Sequence, residues 1–226
     1  MIEILRDYGL LLLRAMGQTL LLALLGLFFA CIIGVIFGLL SVVHKKVCNV
    51  ITRIFVDAIR SVPMIVLAYF IYFGVPYFVK NYLGSRMVLT ALQAGTIALA
   101  LNCGAYMSEI IRAGIQSVDV GQMEAARSLG LTYGIAMRKV ILPQAIRTMI
   151  PSIVNQFIIT LKDTSILSVI GFPELVNTGK NVIAITFKSF QTWAIIGVMY
   201  MIIILTLSRV ASILEVRLNK GRKSAG

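Results

Sequence analysis

The chain has 226 residues, of which 59% are hydrophobic and only 13% charged, and its mean hydropathy is +0.93. Soluble domains of this length are far more polar, so these values exclude one and imply a chain that crosses a membrane several times. The net charge of +12 is not a nucleic-acid footprint, because the basic residues stand in short stretches between apolar runs, without interleaved aromatics.

In chain order, the first sixteen residues hold Glu3, Arg6, Asp7 and Arg14, whose charges cancel. The uncharged run 17–43 is the first predicted span. It is too long for a signal peptide and lacks a small-residue cleavage pattern, so it is expected to be retained. "HKKVCNVITR" reads as a short basic loop, 60–78 as the second span, "VKNYLGSR" as a turn and 87–107 as the third span. A charged stretch follows at 113–143, then a fourth apolar segment at 151–171 that is interrupted by Lys162 and Asp163. "FPELVNTGKNVIAITFKSF" reads as a polar loop with a short interfacial helix, and 193–214 as the fifth span, with Trp193 as an interfacial anchor. The tail "RLNKGRKSAG" is basic and expected to fray. The expected fold is an all-α integral membrane protein of five transmembrane helices, forming one domain over 1–226 without internal repeats.

Five spans place the two ends on opposite sides. One side collects Lys45, Lys46, Arg53, Arg112, Arg127, Arg138, Lys139, Arg147, Arg209, Arg217, Lys220, Arg222 and Lys223; the other holds Arg6, Arg14, Lys80, Arg86, Lys180 and Lys188. The richer side is expected to face the cytoplasm, with the N-terminus outside and the C-terminus inside.

Within 113–143, "GQMEAARSLGL" is helix-prone up to Gly130, which suits a left-handed turn. "TYGIAMRKVIL" follows, with Thr132 as a candidate cap and an apolar side of Ile135, Met137, Val140, Ile141 and Leu142. Pro143 is expected to break the helix before the next span. Such a kinked element fits either docking into another protein or anchoring at the membrane surface.

Ionised side chains at membrane depth cost about 2.5–3.5 kcal/mol each, so Lys162 and Asp163 must face protein or water. At helical spacing they share a polar sector with Ser152, Asn155 and Gln156. Three readings stand: a polar lining of a translocation path, to which Thr164 and Ser165 add hydroxyls, a structural ion pair between subunits, or a helix break at the membrane face. Asn102, Tyr106 and Glu109 fall on one face of the third span. Asn102 reads as path lining or interhelical contact, Tyr106 as packing or path lining, and Glu109 as a partner for Arg112 or Arg60. Asp57 and Arg60 stand three apart and are expected to pair. Pro63 is expected to bend the second helix. Asp57, Arg60, Ser61, Pro63 and Glu109 are together read as structural or gating positions.

Cys31, Cys48 and Cys103 form no CxxC pair, and His44 is the only histidine, so neither a metal site nor a Ser-His hydrolase is expected. A phosphate-binding loop requires Gly-x4-Gly-Lys-Ser/Thr, and the one Gly-Lys pair, Gly179-Lys180, is followed by Asn181. The chain is therefore expected to bind no nucleotide and to be no enzyme.

The spacing Glu124-Ala125-Ala126, Gly130 and Leu142-Pro143 resembles the EAA motif of ABC importer permeases, with Val140 where the family pattern has isoleucine. "RSVP" at Arg60–Pro63, "NCGAYMSEIIRAGI" at Asn102–Ile115 and "LKDTSILSVIG" at Leu161–Gly171 resemble the polar amino acid branch, which includes histidine, glutamine, arginine and cystine permeases. The resemblance implies the type I importer permease fold in a bacterial inner or plasma membrane. It implies uptake of a polar amino acid by a pair of permease subunits, two copies of this chain or a close paralogue. An extracytoplasmic binding protein would deliver substrate, and two ABC ATPase subunits would bind ATP and Mg. The stretch 113–143 would be the coupling segment on which the ATPase docks. Glu124 would make the polar contact, and Ala125, Ala126 and Gly130 would allow close approach. In such a permease the lining reading given above, from helical spacing and the cost of burying charge, would make Asn102, Tyr106, Asn155, Lys162, Asp163, Thr164 and Ser165 the path residues. The alternative is a stand-alone secondary amino acid transporter or channel, which gives no reason for the EAA spacing.

Overall fold

A computed structural model gives the fold; it describes residues 1–43 and 45–223, with side chains as far as Ile213. His44 and the side chains of Arg217, Lys220, Arg222 and Lys223, invoked above, lie outside the described residues. Among those described there is no strand, and five helices are long and apolar enough to cross a membrane.

The elements are α1 (Ile2–Leu40), α2 (Lys46–Ser61), α3 (Met64–Tyr82), α4 (Ala91–Gln116), α5 (Val120–Ser128), α6 (Tyr133–Ile170, its last turns a 3-10 helix from Thr164), α7 (Leu175–Thr186) and α8 (Ser189–Lys223). The spans are α1, α3, α4, α6 and the Ser189–Ile213 part of α8.

Helix α4 is the centre of the bundle, with 72% of its most apolar window buried. It is started by a reciprocal capping box: the Gln93 N–H donates to Thr90 Oγ1 at 3.2 Å, and the Thr90 N–H donates to Gln93 Oε1 at 3.0 Å. Helix α1 lies alongside α4 and parallel to it. A Cβ built at Gly26 would stand 2.7 Å from Leu99 Cβ, and one at Gly34 would stand 2.5 Å from Met107 Cβ. Eight residues along one helix match eight along the other, which fixes both direction and register. Only a missing side chain permits this approach, so Gly34→Ala is expected to lower stability by about 1–3 kcal/mol through overpacking. Gly17 has nothing within 4 Å of its built Cβ, and Gly17→Ala should be neutral. The temperature at which the purified protein ceases to be monodisperse compares the two variants.

Several predicted boundaries move, each for a physical reason. Helix α1 begins at Ile2, not 17, because Ile4, Leu12, Ala15 and Met16 are buried against Leu175, Val182, Ile195 and Ile196 of α7 and α8. Its first turn is tied down where Lys188 Nζ donates to Glu3 Oε2 at 2.6 Å. Most of the expected basic loop is the amphipathic helix α2, whose Phe55 stacks on Phe37 of α1 with centroids 4.1 Å apart. The chain breaks fully at Pro63 rather than bending. Val62 is extended, as the residue before proline prefers, and α3 starts at Met64. Helix α4 runs nine residues past the predicted end at 107, and α8 continues to Lys223 where a frayed tail was expected.

Pro143 does not end its helix. A π turn at Met137–Ile141 precedes it, in which the Leu142 N–H donates to the Met137 carbonyl, five residues back. Helix α3 repeats the device, with a π turn at Phe70–Gly74 just before Pro76 and the Val75 N–H donating to the Phe70 carbonyl. The wider turn moves away the carbonyl with which the proline ring would collide, so the helix continues. Helix α6 thus begins at Tyr133, eighteen residues before the predicted span at 151.

Candidate functional site

Four elements meet around a cavity of about 470 Å³: Arg60 and Ser61 from the end of α2, Pro63 and Met64 from the break, Asn102 and Tyr106 from α4, and Gln156, Ile159 and Asp163 from α6. Its volume is in the range that takes one small ligand. A second cavity of about 480 Å³ shares Arg60, Tyr106 and Gln156 as walls and continues along α4 past Glu109 to Ser117, with Thr148 and Ser152 opposite. The two form a polar track between α4 and α6.

The charges along it are ordered. Arg60 lies over the Tyr106 ring, its Cζ 4.9 Å from the centroid, and its guanidinium stands 3.8 Å from Glu109 Oε2. Arg112 grips the same carboxylate with two nitrogens, at 3.1 and 2.7 Å, and donates to Gln116 Oε1 at 2.8 Å. Glu109 therefore joins both arginines that the sequence offered it. Asp57 does not pair with Arg60. It stands 3.9 Å from Arg53 on the exposed side of α2, because Arg60 turns inward to Tyr106 and Glu109.

Of the expected path residues, Asn102, Tyr106 and Asp163 converge on the first cavity, as do the gating candidates Arg60, Ser61 and Pro63. Lys162 is exposed and does not line it, and among the described residues it makes no ion pair with Asp163. Asn155 faces a separate cleft of about 230 Å³ with Ser208 and Ser212 of α8. The polar sector of α6 is wide enough that its two edges meet different neighbours. Thr164 and Ser165 turn their hydroxyls onto the carbonyls of Leu161 and Lys162, each at 2.7 Å, which satisfies them locally. Gln156, buried and shared by both cavities, was legible only as a member of the polar sector.

Glu174 was missed altogether. It is fully buried and caps α7, its two oxygens accepting the Val176 and Asn177 N–H groups at 2.7 and 2.6 Å, while the Tyr200 hydroxyl donates to it at 3.3 Å. Burial pushes its carboxyl above the ordinary range, and those donors with Lys180 hold it back. The neighbouring Leu175 N–H donates to Thr19 Oγ1 at 3.1 Å, and Lys180 Nζ donates to Ser168 Oγ at 2.9 Å. This cluster pins α7 to α1, α8 and the 3-10 turns that follow Asp163.

A different surface forms beyond the end of α4. Helix α5 is capped by Asp119, which accepts the Gly121 N–H at 2.7 Å, and ends at Gly130 with φ +83°. The Gly130 N–H donates to the Arg127 carbonyl at 3.0 Å and the Leu131 N–H to the Ala126 carbonyl at 3.2 Å, the double bond pattern of a Schellman cap. Glu124 and Ala125 face outward, and Glu124 makes no ion pair among the described residues. Ala126 is buried within the chain, so of the expected small contact residues Ala125 and Gly130 remain on the surface. Leu142 is half-buried and Pro143 exposed. Gln144 Nε2 donates to Gln122 Oε1 at 3.3 Å, seating α5 on α6 beside its π turn.

Residues 26–220 match the family described as binding-protein-dependent transport system inner membrane component. The chain is 35% identical over 208 residues to the glutamine transport system permease protein GlnP of Escherichia coli (strain K12), covering 92% of this chain and 93% of that one. It is 36% identical over 203 residues to the probable glutamine ABC transporter permease protein GlnM of Bacillus subtilis (strain 168), covering 90% and 91%. A chain in the crystal structure of an amino acid ABC transporter with histidines superposes with a TM-score of 0.87 at 38% identity, over 94% of this chain and 96% of that one. A chain of the inward-facing MetNI methionine ABC transporter superposes with a TM-score of 0.77 at 20% identity, a likeness of fold.

Proposed function

The chain belongs to the family of binding-protein-dependent transport system inner membrane components, and from this premise we propose that it is the permease subunit of an ATP-driven ABC importer for a polar amino acid. Glutamine, named for its relatives, is the first substrate to test.

The observation that carries the reading is the cavity in which Asp163 and Arg60 stand with the amides of Asn102 and Gln156. An amino acid zwitterion has an ammonium for the carboxylate, a carboxylate for the guanidinium, and polar groups for the amides. Arg60 is also held by Tyr106 and Glu109, so a substrate that draws on it competes with a contact reaching down α4 toward the coupling end. That gives the site a route by which occupancy is felt at α5. The whole chain acts as one permease domain, with 113–143 as its coupling segment.

The Lys/Arg distribution supports a cytoplasmic α5 and an N-terminus outside. On that side the exposed Glu124, Ala125 and Gly130 offer the docking edge for an ABC ATPase subunit, present in two copies. A second permease, this chain or a paralogue, completes the path, and an extracytoplasmic binding protein supplies substrate on the far side. ATP and Mg belong to the ATPase; this chain carries no nucleotide loop and acts through shape and charge alone. A stand-alone transporter is not favoured, since it leaves α5 without a purpose.

The test is uptake by proteoliposomes holding the chain, its ATPase and its binding protein, against a panel of labelled amino acids. A polar amino acid, glutamine foremost, should accumulate only with ATP inside the vesicles' ATPase-facing compartment. Uptake by the chain alone without ATP would overturn the proposal.

A further inference from the structure

Between the end of α1 and the start of α6 lies a groove of about 390 Å³, lined by Leu39, Val42, Val43, Lys45, Tyr133 and Met137. Its walls are aliphatic and thioether with the Tyr133 ring, and among the described residues the charged group that lines it is the exposed Lys45. It sits where a span ends and basic chain begins, the depth at which a bilayer changes from hydrocarbon to headgroup. Lys46, Arg138 and Lys139 stand exposed on the two segments that form it. Neither segment carries a counter-charge: no Asp or Glu occurs between Asp7 and Asp57, nor between Glu124 and Asp163.

We infer that this groove binds an anionic phospholipid of the leaflet on the α5 side, one acyl chain lying along Leu39, Val42, Val43 and Met137 and the headgroup phosphate meeting Lys45. A free phosphate would use the cation but leave the apolar walls in water, and a zwitterionic lipid would bring a cation toward a site that already has several. Phenol and lysine side chains are suited to this depth, the one by its amphipathic ring and the other by reaching outward along its stem. The site has a consequence for the coupling segment. Met137 opens the π turn of α6, and α5 is seated beside that turn through Gln122 and Gln144. A lipid filling the groove braces the base on which α5 stands.

The inference needs only that the chain spans a membrane, and its readout is independent of transport. The purified chain is titrated in detergent with phosphatidylglycerol or phosphatidylcholine of equal chain length, and retained lipid is counted by native mass spectrometry. Wild type should hold one phosphatidylglycerol per chain and prefer it over phosphatidylcholine. Lys45→Glu should weaken phosphatidylglycerol retention about tenfold, the scale expected for reversing one cation at an anionic headgroup, and leave phosphatidylcholine unchanged. Val42→Trp, which fills the groove, should reduce retention of both lipids. Lys80→Glu, at the other end of the bundle, should change neither. Equal retention of the two lipids by wild type, or unchanged retention in both groove variants, would overturn the site, as would displacement of the bound lipid by millimolar inorganic phosphate. A chain that retains lipid but carries no amino acid would sink the transport reading and leave this one standing.

Discussion

Glu124→Lys is expected to abolish ATP-driven uptake and to strip the proposed ATPase partner from the purified chain, while the chain still inserts in the membrane and stays monodisperse. The expectation follows from where the side chain stands. Glu124 is exposed on α5 and serves no ion pair of its own fold among the described residues, so reversing its charge costs the isolated chain little. On the coupling role proposed above, its carboxylate is left free for a contact with the ATPase. Losing one hydrogen-bonded charge contact across an interface costs about 3 kcal/mol, roughly a hundredfold in affinity, and placing a lysine against the same partner adds repulsion. Gly130→Asp tests the other end of the same edge. A Cβ at Gly130 has nothing within 4 Å, and Asp tolerates the left-handed conformation better than most residues, so the turn survives at a cost of about 1 kcal/mol. What the substitution adds is bulk and charge on the outward face. Uptake assays beside co-purification of the ATPase decide the matter, and full transport by both variants would remove α5 from the coupling role.

The parts of this molecule legible in its sequence are those set by local chemistry. Five apolar runs give five spans, because hydrocarbon demands length and little else. Gly130 was readable as a left-handed helix end since few other residues occupy φ +83° without strain. Helix α2 was passed over because its mean hydropathy is low, although Val47, Val50, Ile51 and Ile54 stand at the i, i+3, i+4, i+7 spacing of an amphipathic helix. The π turns before Pro76 and Pro143 were invisible for a different reason. Proline reports what a regular α-helix cannot accept, not which irregular turn the surroundings will stabilise instead. The rotation of α6 set the fate of the polar sector. Spacing placed Asn155 and Gln156 together, and only the positions of α4 and α8 sent Gln156 to the track and Asn155 to another cleft. Glu174 had no sequence cue, since glutamate is an uncommon helix cap and its burial depends on Tyr200, distant in the chain.

Asp163→Asn is expected to leave the assembled complex and its basal ATPase activity intact and to reduce uptake roughly a hundredfold, as loss of one charge-assisted substrate contact worth about 3 kcal/mol would. Two explanations compete for a charge at this depth. If Asp163 and Lys162 form a structural pair, removing either strands the other at a cost of about 3–5 kcal/mol, assembly fails, and the double variant Lys162→Met with Asp163→Leu recovers it. The geometry speaks against that outcome. Consecutive residues on a helix point about 100° apart, and here one points into the cavity while the other is exposed. Asp163 instead shares its cavity with Arg60, Asn102, Tyr106 and Gln156, a set that no apolar packing role calls for. Lys162→Met should therefore leave yield unchanged and alter uptake by less than about threefold, the scale of an exposed surface charge. Asn102→Ala should resemble Asp163→Asn in direction and be milder, because a neutral amide contributes about half what a charged contact does. The decisive comparison is complex yield beside uptake rate for Lys162→Met, Asp163→Asn and the double variant, each measured with the same amino acid. Loss of yield in the single variants, restored in the double, would make the pair a structural bridge and move the substrate's ammonium to some other carboxylate on the path.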